Sequence, residues 1–158
     1  MSRVRPSFLV ALVAVVVAAV VALAASGVVA RVDDARRERA LAAAHAVPAP
    51  EGAVTSHNCH GDGTVACWES DQPVDDVVAA LQASWERTSG RAAEQSCFAT
   101  PVGRVDAEPL AARTCSLAQR FGDHAAFVFV SPRIAPATPD DDAGRPAVTG
   151  SLVQVSGD

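Results

Sequence analysis

AVTSHNCHGDGTVACWES, residues 53–70, decides how the rest of the chain is read. Two strand-like arms, AVTSHNCH and TVACWES, flank Gly61-Asp62-Gly63, a sequence suited to a reversing turn. Cys59 and Cys67 are placed symmetrically about Gly63. On a hairpin they face each other, with Cβ atoms close enough to bridge. The same stretch admits a second reading. His57, Cys59, His60 and Cys67 offer two nitrogen and two sulfur ligands, a set suited to Zn²⁺. The spacing opposes it: on an extended strand His57 and Cys59 share a face while His60 points to the other, and no CxxC knuckle is present.

The cysteines total four, an even number suited to disulfides in an oxidising compartment. Cys97 and Cys115 are symmetric about Asp106, between two further strand-like stretches, so the expected pairs are Cys59–Cys67 and Cys97–Cys115. A Cys67–Cys97 bridge, tying the hairpin to the strand after the next helix, stays open as an alternative.

Downstream of the hairpin lies one strong helix signal. Val74, Val77, Val78, Leu81 and Trp85 recur at helical spacing and form one apolar stripe. Asp71 or Gln72 is expected to cap it, Pro73 suits its first turn, Asp75 and Asp76 favour its positive end, and Gly90 is the expected stop. Residues 91–100 then read as a strand carrying Cys97, and PVGRVDAEPL as a loop. Residues 113–121 and 124–131 form a second hairpin about Gly122-Asp123. SPRIAPATPDDDAGRPAV reads as loop or tail, with Asp140, Asp141 and Asp142 as a solvated charge run. VTGSLVQVS is expected to add an edge strand or to hang free.

Upstream, Ser7–Ala30 contains no charged residue. As a helix rising about 1.5 Å per residue, it is long enough to cross a hydrocarbon core of about 30 Å. The competing reading is a cleaved signal peptide with Arg3 and Arg5 as its basic start and Ala22-Leu23-Ala24 as its processing site. The apolar run is longer than a signal core and continues past that site, so an uncleaved signal-anchor is expected. RVDDARRERALAAAHAV, residues 31–47, reads as a helix too polar on its several sides to be core, a stalk ended by Pro48 and Pro50.

The expected architecture is therefore α+β: a single N-terminal transmembrane helix, then a small antiparallel sheet with one packed helix in ββ-α-βββ order. The expected divisions are 1–30 (cytoplasmic N-tail and membrane helix), 31–50 (stalk and linker), 51–134 (disulfide-containing domain) and 135–158 (tail).

Charge divides along the same lines. Residues 1–39 hold six Arg against Asp33, Asp34 and Glu38, a net +3; the remainder hold seven Arg against fifteen acids, a net −8. An acidic domain without a basic stripe argues against nucleic-acid binding. All 13 basic residues are arginine, a bias of the kind GC-rich bacterial genomes impose. The flanks of the apolar run disagree with the cysteines about topology. Four arginines in residues 31–39 favour a cytoplasmic domain under the positive-inside rule. The short basic start and the paired cysteines favour an extracytoplasmic one, which is the expectation adopted.

Chemistry is thinly signalled. His57, His60 and His124 are candidate bases, and Ser56, Ser70, Ser84 and Thr64 candidate nucleophiles. No GxSxG elbow, HExxH helix or phosphate-binding loop organises them. The sequence thus reads as a membrane-anchored extracytoplasmic binding domain without a cofactor. Its expected partners are the bilayer, through residues 7–30, and another envelope protein. The alternatives are a cytoplasmic-facing metal-binding domain using His57, Cys59, His60 and Cys67, or a small hydrolase.

Overall fold

A computed structural model describes residues 6–59, 61, 63–105, 108–135 and 147–158. The chain forms α1 (Pro6–His45), β1 (Val54–Thr55), β2 (Thr64–Ser70), α2 (Val74–Ser89), β3 (Glu94–Val105), β4 (Glu108–Phe121), β5 (His124–Ala135) and β6 (Ala147–Gly157). The strands make one antiparallel sheet in the order β1-β2-β6-β5-β4-β3. The fold is α+β with a long apolar N-terminal helix, as the sequence indicates.

The chain divides into two compact units, residues 1–36 and Arg37–Asp158. In the first, α1 is the one helix among the described residues long and apolar enough to cross a membrane.

In the second, α2 lies across β4, β5 and β6. The five residues of its predicted stripe are its buried residues, with Trp85 and Val77 fully enclosed. They meet Leu117, Val128, Val130, Val153 and Val155, which alternate along their strands and so share one sheet face. Gly90 ends α2 in the left-handed region (φ 66°), its N–H donating to the Glu86 carbonyl. The helix start differs from expectation: Pro73 is the N-cap and no side chain caps it. Asp71 pairs with Arg133 instead, and Ser70 Oγ accepts from the Gln72 N–H.

The expected stalk is partly core. Ala40, Ala43, Ala44 and Val47 are buried, at helical spacing i, i+3, i+4, i+7. The methyl side chains of the three alanines let this end of α1 approach Gly157 of β6 closely, and they sit just after the last arginine of the charged run. The Trp85 indole N–H donates to the Ala43 carbonyl at 3.0 Å. That carbonyl is an orphan of the helix end, because Val47 N–H turns to Ala44 instead.

Three further expectations are corrected. The C-terminal residues do not form an edge: β6 lies between β2 and β5. Gly150 lets it pass β2, since a Cβ there would sit 2.1 Å from the Ser70 carbonyl oxygen. The stretch read as a loop after Thr100 is strand, with β3 and β4 paired from Glu94↔Ala118 to Val105↔Glu108. Pro101 is tolerated because β3 is the sheet's edge and a register shift follows at Gly103. Likewise β5 extends through Pro132 to Ala135, beyond its pairing with β4. Asp62, Asp106 and Asp140 to Asp142 lie outside the described residues. The turn at Gly122-Asp123 is as expected, joining the Phe121↔His124 pair.

Candidate interaction surface

The cysteines come together in two pairs. Cys59 and Cys67 sulfurs are 2.03 Å apart, and Cys97 and Cys115 sulfurs 2.11 Å. The first pair closes the connection between β1 and β2; the second links directly opposed residues of β3 and β4. The alternative Cys67–Cys97 pairing is not the one adopted.

Two of the four SHNCH candidate ligands are thereby taken up by each other. Cys59 and Cys67 bond to each other, His57 points to solvent, and His60 lies outside the described residues. Among the described residues no group of three or more His, Cys, Asp or Glu side chains is placed to hold a metal.

The candidate nucleophiles are held in structural hydrogen bonds. Ser84 Oγ donates to the Leu81 carbonyl of its own helix, and Thr64 Oγ1 to the Gly61 carbonyl. Ser70 Oγ braces the turn before α2. Ser56 Oγ donates to Glu69 at 2.6 Å. His124, at the start of β5, is half-buried.

Glu69 centres a polar cluster that the sequence did not disclose. Its carboxylate accepts from Ser56 Oγ, from Asn58 Nδ2 at 2.7 Å and from Arg133 Nη1 at 3.2 Å. Arg133 also donates to Asp71 and to the Thr149 carbonyl at 3.0 Å. The cluster ties the β1–β2 connection to β5 and β6. Its members are brought together by strand order, and no local motif marks them. Hydrogen bonds from Ser56 and Asn58, then the Arg133 guanidinium, hold the Glu69 carboxyl below its ordinary pKa. The Ala93 N–H and Gln82 amide do the same for Glu86 at the end of α2. Both folded-state pKa values are depressed, so this stabilisation is complete above the unfolded value of about 4.3 and is lost as pH falls through the folded one. The unfolding midpoint is expected to drop as pH is lowered from about 5 to below 4. Glu69→Gln with Glu86→Gln flattens that dependence; an unchanged slope in thermal melts across this range refutes the assignment.

The face of the sheet opposite α2 carries a different set of side chains. Alternation along the ladders places Cys67, Gln154, Phe129, Ser116 and Ser96 in one row across β2, β6, β5, β4 and β3. Glu69, Leu152 and Ser131 form a neighbouring row across β2, β6 and β5, and the Thr114–Phe98 pair of β4 and β3 takes the same face. Phe129 is 40% exposed and Phe98 54%. Phe127 stacks beside Phe129, ring centroids 5.9 Å apart. α2 and the buried alanines of α1 pack on the other face, so this one holds exposed aromatic rings among hydroxyl and amide groups. The sequence favoured Phe127 and Phe129 as strand residues but did not tell which face they take.

Comparison of the chain with protein families, curated proteins and solved structures returns no match.

Proposed function

We propose that the chain is a non-catalytic, single-pass membrane-anchored module. Its disulfide-bearing domain lies on the extracytoplasmic side and binds another envelope protein through the Phe127–Phe129 face of the sheet. The observation that carries this reading is the aromatic pair on a sheet face that no described helix covers, in a unit whose other face is a packed core. Aromatic side chains supply large contact area at low entropy cost and are enriched at binding hot spots. Surrounding serine, threonine and glutamine groups suit a polar rim. Two cysteine pairs at bonding distance favour an oxidising compartment, against the arginine bias of residues 31–39.

The test has two parts. Protease added to intact spheroplasts is expected to digest residues 48–158; survival of that region until lysis refutes the placement. A photo-crosslinking amino acid at Ser116, opposite Phe129 on the same face, is expected to yield an adduct with one envelope protein. In the same background Phe129→Asp should weaken that association at least about tenfold while the domain still melts cooperatively. Equal capture by both variants would remove the aromatic face from the argument.

A further inference from the structure

We propose that two copies of the chain pair edge to edge through β3, antiparallel and centred on Cys97. The two ends of the sheet are unlike. β1 presents an edge of two residues, whereas β3 is a strand of 12.

The open side of β3 is equipped to pair. Cys97 and Cys115 are directly opposed with Cα atoms 4.1 Å apart. That short separation marks a non-hydrogen-bonded position of an antiparallel ladder. The N–H and C=O of Cys97 therefore turn away from β4, and so, by the period of two, do those of Gln95 and Ala99. The carbonyl of Ser96 faces the other way, where it accepts from Ser116 Oγ at 3.4 Å.

The edge is also unguarded. Exposed edges are ordinarily blunted by proline, charged side chains or bulges. From Gln95 to Ala99 β3 has none of these; the charge of Glu94 is met by Arg120, and Pro101 and the register shift come after. Residues 94–96, 98 and 99 are exposed.

The occupant is a second copy because this strand complements itself. Centred on Cys97, an antiparallel partner sets Gln95 opposite Ala99, Ser96 opposite Phe98 and Glu94 opposite Thr100. No like charges meet, and the outward backbone groups of Gln95, Cys97 and Ala99 all find partners. The two Phe98 rings become diagonal neighbours on the face away from α2, within reach of each other. Centring the pair on Ala99 instead would set Cys97 opposite Pro101, which has no N–H to give. Strand pairing alone buries less than a standard stable interface of about 1,600 Å². Confinement of both copies to one membrane raises their effective concentration, which favours a second anchored chain over a soluble peptide.

The experiment uses the full chain in its native membrane, with a photo-crosslinking amino acid replacing Phe98. The expected product is a homodimer adduct mapping to Glu94–Thr100 of the second copy. Ala99→Pro removes an N–H that faces the open edge, where proline is tolerated, and should cut the adduct at least about tenfold without changing the melting temperature. If that variant does not fold, Ser96→Glu sets a carboxylate against the partner's residue 98 on an exposed position and should have the same effect. No adduct, an adduct with a different protein, one mapping outside β3, or an adduct indifferent to both substitutions overturns the proposal.

Discussion

A chain ending at Ala135 is expected to form no folded domain. Without residues 147–158 the sheet loses β6, which pairs with β2 on one side and β5 on the other. The β1–β2 ribbon is then cut off from β5-β4-β3, and a two-stranded ribbon is marginal alone. The truncation also removes Val153 and Val155, both fully buried beneath α2. The loss exceeds the roughly 5–15 kcal/mol by which a domain of this size is stable. Circular dichroism and limited proteolysis of the purified truncated chain measure it. A protease-resistant core with a cooperative melt would show that β6 is dispensable.

Replacing Trp85 with alanine is expected to be the most damaging single substitution. The side chain is wholly buried between α2, the sheet and the end of α1. Its removal leaves a cavity, a change that costs about 3–5 kcal/mol for large aromatic side chains. It also strands the Ala43 carbonyl, which has Trp85 Nε1 as its donor at 3.0 Å. Trp85→Phe separates the two effects: it keeps most of the volume and abolishes the hydrogen bond, for an expected loss of about 1–3 kcal/mol. Denaturant midpoints of the three chains check the order. If Trp85→Phe unfolds at the same midpoint as the parent, the indole hydrogen bond contributes nothing to the attachment of α1.

The candidate surface was only partly legible. Phe127 and Phe129 are strong strand formers, and their place in a hairpin followed from Gly122-Asp123. Which face they occupy depends on where α2 and α1 dock, and that is a nonlocal outcome. Glu69, Asp71 and Arg133 were invisible as a group. Glu69 and Arg133 meet because β6 inserts between β2 and β5, bringing residues 64 positions apart within hydrogen-bond distance. SHNCH was legible as to its pairing but not its route: the sulfurs of Cys59 and Cys67 are at bonding distance, yet β1 holds only Val54–Thr55 and its register with β2 (Val54↔Glu69, Thr55↔Trp68) is not symmetric about Gly63.

The residues by themselves determined what short-range physics controls. The uncharged run in α1, the apolar stripe of α2, its glycine stop, the tight turn before β5 and the α+β class all follow from local periodicity and turn chemistry. Only the tertiary structure decided the strand order, the burial of Ala40, Ala43, Ala44 and Val47, and the continuation of β3 past Pro101. Pairing between distant strands is chosen by the best total burial and leaves no local mark. Alanine buries too little surface to stand out in a hydropathy pattern. Proline forbids a strand only where its missing N–H is needed, and an open edge does not need it.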